Sequence, residues 1–107
     1  MKFTEMPYVR PDMERVLADF DSIAARFDSA GNAEEQIAAY EAADALKKQF
    51  MTAAALASVR HTIDTRDEFY AAENNFMDEN APVVQEKIQN ILEKMLSSVF
   101  RLSLIHI

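Results

Sequence analysis

Two histidines are the residues of this sequence best suited to bind a metal or move a proton, and no cysteine accompanies them. His61 and Asp64 lie three positions apart, so a helix could present both to one ion, whereas His106 lies far along the chain. A zinc site needs at least three protein ligands of suitable type, and the helical zinc-binding motif His-Glu-x-x-His is absent. We therefore predict no metal site here, and a hydrogen-bonded His61 at a helix end.

Carboxylates are the second candidate chemistry. A paired-carboxylate site needs burial or close approach that raises the pKa of one group, and spacing alone does not show this, so a solvated acidic face is the simpler interpretation. With Gly31 as its only glycine, the chain has no glycine-rich phosphate loop, and no Ser/His/Asp set is present. We predict that the chain carries no catalytic, cofactor-binding or metal-ligating residue. The carboxylates considered are Asp64, Asp67, Glu68, Glu73, Asp78 and Glu79.

The composition favours one small all-α domain of an intracellular protein. The 107 residues are 50% apolar and carry a net charge of −7. The 11 basic residues are scattered, so neither nucleic acid nor an anionic membrane surface is an expected partner. No apolar run approaches the roughly 20 residues that span a bilayer, and residues 1–5 do not resemble a signal peptide. We expect a cytoplasmic location.

The first half of the chain predicts an extended lead-in over residues 1–10, which contains Pro7, followed by two helices. The first helix should run from Pro11 to Asp28, with Pro11 in its first turn. Gly31 suits a left-handed position after that helix, and Asn32 can cap the next one. Six apolar side chains keep to one face of the first helix; they are Met13, Val16, Leu17, Phe20, Ile23 and Phe27.

The second helix should run from Ala33 to Ile63. Its half beginning near Phe50 is apolar or small nearly all round, which predicts burial on every side. Because three helices cannot easily surround it, this half indicates neighbours that lie outside the 107 residues.

A third helix should run from Arg66 to Ser98, capped by Asp64 or Thr65 and kinked near Pro82, where a backbone hydrogen bond is lost. The alternative is two helices that meet near Asn80. The expected fold is three long helices in an antiparallel up-down arrangement.

Two segments resemble a known family. Residues 3–12 and residues 58–70, with Glu73, Phe76 and residues 78–80 beyond them, resemble the oligoendopeptidases of peptidase family M3, and the likeness extends to about Arg101. The resemblance implies a large, mostly helical zinc metallopeptidase that cleaves short peptides in a deep channel. Its His-Glu-x-x-His helix and further glutamate ligand would lie in the C-terminal half, and none of them has a counterpart here.

The resemblance further implies that these helices form part of one channel wall, that they are inactive alone, and that their partner is a missing C-terminal catalytic domain. The rival interpretation is a self-contained helical interaction module that acts as a homodimer.

We divide the chain into a helical segment, residues 1–101, and an artefactual tail, residues 102–107. The tail can be encoded by a transposon mosaic end used in library preparation, so we expect translated adapter and a truncated gene model. The alternative is a natural apolar C-terminus that docks on the bundle.

Overall fold

Three α-helices account for nearly all of the chain that the structure describes. A computed structural model describes the backbone of residues 8–105 and the side chains of residues 8–97. The helices are α1, Met13–Asp28, α2, Ala33–Ile63, and α3, Glu68–Ile105. The all-α prediction is confirmed. Residues 1–7 of the predicted lead-in and the second histidine, His106, lie outside the described residues.

Helix α1 begins two residues later than predicted. Asp12 is its N-cap: its backbone is extended (φ −78°, ψ 100°) and its side chain accepts a hydrogen bond from the Arg15 N–H, at 3.2 Å. Pro11 therefore precedes the cap and does not occupy the first turn. The short aspartate side chain reaches the free N–H groups of the first turn, which a proline cannot satisfy.

The connection between α1 and α2 contains one confirmed and one wrong prediction. Asn32 caps α2 as predicted, accepting a hydrogen bond from the Glu35 N–H at 2.8 Å. Gly31 does not adopt a left-handed conformation, since no glycine in the described part of the chain has a positive φ. Its N–H instead donates to Glu35 Oε2 at 2.8 Å. The Glu35 N–H bond to Asn32 and the Gly31 N–H bond to Glu35 hold the turn, so a left-handed residue is not needed.

The start of α3 also differs from the prediction. Asp67, not Asp64 or Thr65, caps the helix by accepting a hydrogen bond from the Tyr70 N–H at 3.0 Å. Asp64 ends α2 and accepts a hydrogen bond from the Arg66 N–H at 3.1 Å. Asp64, Thr65 and Asp67 are all residue types that cap helices well, so the sequence does not distinguish them. The turn between α2 and α3 uses Asp64 for its own hydrogen bond and leaves Asp67 as the cap.

Helix α3 runs through Pro82 without a break, so the alternative of two helices meeting near Asn80 is wrong. Asn80 lies inside the helix and its side-chain amide donates to the Phe76 carbonyl at 2.8 Å. The predicted kink at Pro82 stays a prediction. The helix continues beyond the predicted end at Ser98, and the division between residues 1–101 and 102–107 also stays a prediction.

Ion pairs between α1 and α3 define the topology. Lys87 Nζ lies 2.7 Å from an Asp21 carboxylate oxygen, and Lys94 Nζ lies 3.0 Å from one of Asp28. The two pairs advance in the same direction along both helices, so α1 and α3 run parallel. Four-residue connections join α2 to both neighbours, and α2 therefore runs in the opposite direction. The molecule measures 59 × 25 × 20 Å.

The core forms one continuous cluster between the helices. Phenylalanines come from α1 and α2, alanines from α2, and branched or flexible side chains from α3. Small alanines on α2 let the larger side chains of its neighbours approach closely. The buried members are Phe20, Phe27, Ala39, Ala43, Phe50, Ala57, Met77, Val84, Ile88 and Ile91.

Helix α1 covers only one end of the α2–α3 hairpin. Its residues Ile23 and Arg26 lie alongside Ala42 and Leu46 of α2, and its ion pairs reach only the second half of α3. We call this part the three-helix end. Residues 49–63 of α2 and 68–80 of α3 form the hairpin end, where α1 is replaced by the segment before it.

Candidate functional site

Glu73 is the one charged residue among the buried side chains that the structure describes. It lies one turn before Met77 on the seam of α3 that continues to Val84, Ile88 and Ile91, and it is 4% exposed. The interpretation of the carboxylates as a solvated face is therefore wrong for Glu73. The sequence contains a partial signal, because Glu73 shares the helical phase of the apolar seam, but the phase alone does not show that a cation reaches it.

Two residues from the segment before α1 bind this carboxylate: Arg10 neutralises its charge and Tyr8 donates a further hydrogen bond. The Arg10 guanidinium binds it in a bidentate manner: Nε donates to Oε1 at 2.9 Å and Nη2 donates to Oε2. The Tyr8 hydroxyl donates to Oε1 at 3.0 Å. Burial of a carboxylate costs several kcal/mol unless it is paired and hydrogen-bonded. Both requirements are met by side chains more than 60 positions away in the sequence.

Aromatic rings surround the two arginines of this region. The Arg10 guanidinium carbon lies 4.2 Å from the centre of the Phe76 ring. The guanidinium carbon of Arg60 lies 5.5 Å from the Tyr8 ring and 5.9 Å from the Tyr70 ring. These distances suit cation–π attraction. The six residues, which we call the Glu73 cluster, are Tyr8, Arg10, Arg60, Tyr70, Glu73 and Phe76.

The proton equilibria of the cluster follow from these contacts. Hydrogen bonds from Arg10, aided by one from Tyr8, lower the pKa of Glu73 below its usual value although burial opposes this. Burial, together with the hydrogen bond to Glu73, raises the pKa of Tyr8 to about 12. At neutral pH Glu73 is therefore a carboxylate, Arg10 a guanidinium and Tyr8 a neutral phenol. A carboxylate held this firmly in its charged form is unsuited to act as a general acid.

His61 lies in the last turn of α2. Its Nδ1 atom is buried and makes no hydrogen bond within the described part of the chain, so the predicted hydrogen bond is not formed at that atom. The remaining carboxylates that the sequence suggested do not converge on it. Asp64 and Asp67 serve as helix caps, and Asp78 is exposed.

The side chains of residues 8–97 do not form a site that fits a zinc ion. No group of three or more histidine, cysteine or acidic side chains that could hold a metal occurs among the described residues. What the Glu73 cluster does is structural: it fastens the segment before α1 across the hairpin end. Separately, no helix in the described ranges is both long and apolar enough to cross a membrane.

Comparison with known proteins finds a matching protein family and similar solved structures. The family model of the peptidase M3 N-terminal domain matches residues 3–106. The solved structure of PZ peptidase A with an inhibitor shares 41% sequence identity, with a TM-score of 0.87 over 96% of this chain. A crystal structure described as an oligoendopeptidase F shares 40% identity, with a TM-score of 0.87 over 97% of this chain. No curated protein sequence matches the chain.

The all-helical fold and the family match together define the class of this chain, an all-α domain of the peptidase M3 type. The chain belongs to peptidase family M3 and corresponds to the N-terminal domain of that family, as its sequence resemblance predicted. It spans 18% of the length of each of the two solved relatives.

Proposed function

We propose that this chain forms the N-terminal helical wall of a zinc-dependent oligoendopeptidase that hydrolyses short peptides, and that it is inactive alone. The observation that carries the proposal is the family match over residues 3–106 together with the 18% coverage of both solved relatives. Both relatives are peptidases by description, and one was solved with an inhibitor. In this proposal the reaction and the zinc belong to the C-terminal partner domain, and the location is the cytoplasm.

The shape and anchoring of the domain support a wall function. A body of 59 × 25 × 20 Å is long and thin, as a partition between a channel and solvent must be. The Glu73 cluster ties the N-terminal segment to both helices of the hairpin through Arg10, Glu73 and Arg60. A rigid wall limits the size of the substrates that can enter the channel, because a wall that moved aside would admit bulky substrates.

The proposal is tested by joining residues 1–101 to the remainder of an oligoendopeptidase F relative, in place of the corresponding N-terminal region. The 107-residue chain by itself should not cleave a quenched fluorogenic peptide, with or without added zinc. The chimera should cleave the peptide, and a chelator should abolish the cleavage. The unmodified relative serves as the positive control.

Two results would contradict this function. One is chelator-sensitive cleavage by the isolated chain. The other is a chimera that folds, with cooperative thermal unfolding, but has no peptidase activity under conditions in which the unmodified relative is active.

A further inference from the structure

The outer face of α2, which points away from the core, changes character along the helix. In residues 33–48 half of the exposed positions are charged, as expected of a helix that faces water. In residues 49–63 no exposed position carries a charge. Met51 is 47% exposed and Ile63 is 59% exposed. The exposed positions of this second half are Gln49, Met51, Thr52, Ala55, Ser58, Thr62 and Ile63.

Four of these residues recur with the spacing of a helix–helix seam. Met51, Ala55, Ser58 and Thr62 are separated by four, three and four positions, which places them in one line along the helix. They lie about a third of a turn around the helix from the buried Phe50 and Ala57, which face the core. Small side chains in such a line allow a second helix to approach closely. We call Met51, Ala55, Ser58 and Thr62 the outer seam.

The size of the outer seam argues against a second copy of this chain as its occupant. Fifteen helical residues span about 22 Å, and a helix is about 10 Å wide. A stable protein–protein interface buries about 800 Å² on each partner, which is more than this strip offers by itself. A larger partner can cover the strip together with neighbouring surface. The solved relatives contain such a partner within their own chains, since this domain is 18% of their length.

We propose that the outer seam of α2 is the surface on which the C-terminal peptidase portion of the longer family members packs. The inference rests on the proposed function and specifies the face that the partner covers. A helix of the peptidase portion lies against Ala55 and Ser58, and Met51 and Ile63 are buried beside it. The charged first half of the α2 outer face stays in water.

Single cysteines test this placement, because the chain has none of its own. Ala55→Cys and Ala38→Cys form a matched pair: both replace an exposed alanine of α2, one on the outer seam and one in the charged half. In the 107-residue chain, a maleimide reagent should label both at similar rates. In the chimera with the oligoendopeptidase F remainder, labelling at position 55 should slow at least tenfold, and labelling at position 38 should not change.

Equal labelling rates at both positions of the folded chimera would overturn the proposal. The proposal would also be overturned if maleimide labelling at position 55 of the isolated chain slowed as the chain concentration increased, because that result identifies a second copy as the occupant. If the chimera does not fold, the same two variants are labelled in the chain co-expressed with the remainder as a separate polypeptide. Protection confined to position 55 supports the proposal there, and equal rates contradict it.

Peptidase activity and labelling separate the two proposals. A chimera that is active, with position 55 freely labelled, retains the function and rejects the docking face. A folded chimera that is inactive, with position 55 protected, retains the docking face and rejects the function.

Discussion

The groove between α2 and α3 is covered by apolar side chains at one end of the bundle and by a charged and hydrogen-bonded cluster at the other. At the three-helix end, α1 covers the groove between α2 and α3 with Phe20 and Phe27, which are 1% and 3% exposed. At the hairpin end, an extended segment takes the place of α1 and contributes an arginine and a tyrosine, which meet a buried glutamate.

The difference shows what a short extended segment can and cannot do. It buries little apolar area, so its attachment depends on a few directional bonds, whereas a helix attaches through a whole face. Apolar residues at the hairpin end consequently remain open, with Phe69 58% exposed and Ile63 59% exposed. The three-helix end thus closes over its own aromatic side chains, whereas the hairpin end leaves apolar side chains exposed.

Removal of one aromatic ring from each end should give the largest contrast. Phe20→Ala should lower the free energy of unfolding by about 4 kcal/mol, because it leaves a cavity in a closed core. Phe69→Ala, a change of the same residue type at a half-exposed position, should cost less than about 1 kcal/mol. Urea unfolding followed by circular dichroism measures both. Equal losses would mean that the hairpin end is as well packed as the three-helix end.

Replacing Arg10 and replacing Glu73 should lower the free energy of unfolding by different amounts. Arg10→Ala leaves the buried Glu73 carboxylate without its cation and should lower the free energy of unfolding by more than Glu73→Gln does. Glu73→Gln leaves Arg10, whose side chain is 52% exposed and can be hydrated, and should cost about 1 kcal/mol.

Combining Arg10→Ala with Glu73→Met should restore most of the loss, because the seam of α3 then becomes apolar throughout. A double variant no more stable than Arg10→Ala would show that the segment is held by something other than this ion pair.

The pH dependence of stability should report the same cluster. The pKa of Tyr8 is about 12 in the folded chain and about 10 in the unfolded chain. Between pH 10 and pH 12 the unfolded chain therefore loses the Tyr8 proton while the folded chain keeps it, which favours unfolding. Stability that is present below pH 10 is therefore lost as the pH rises to 12, by about 1–2 kcal/mol. Tyr8→Phe should lack this part of the alkaline loss, and Tyr40→Phe, outside the cluster, should retain it. Identical profiles for the two variants would contradict the assignment.

The smallest effect is expected from the ion pairs that link α1 to α3. Lys94 and Asp28 are both about half exposed, and pairs of this kind contribute roughly 0.2–1 kcal/mol. Lys94→Ala should lower the free energy of unfolding by about 0.5 kcal/mol in low salt and by less in high salt. A loss that salt does not reduce would indicate that the apolar stem of Lys94 matters more than its charge.

The sequence by itself determined the all-α class, the bounds of α2 and the Asn32 cap, and it identified the family. These features depend on interactions within a few residues, namely 3.6-residue periodicity, capping side chains and local motifs, and such interactions can be read along the chain.

Only the tertiary structure decided that Glu73 is buried, that Arg10 and Tyr8 are its partners, and that Gly31 is not left-handed. The choice of Asp67 over Asp64 as the cap of α3 belongs to the same group. The burial of Glu73 depends on how separate segments meet, because the Tyr8 and Arg10 contacts join residues 65 and 63 positions apart. The Gly31 conformation and the Asp67 cap depend on which of several equivalent local hydrogen bonds closes each turn. A carboxylate on an apolar seam is ambiguous in sequence, because burial depends on whether a distant cation arrives to neutralise it.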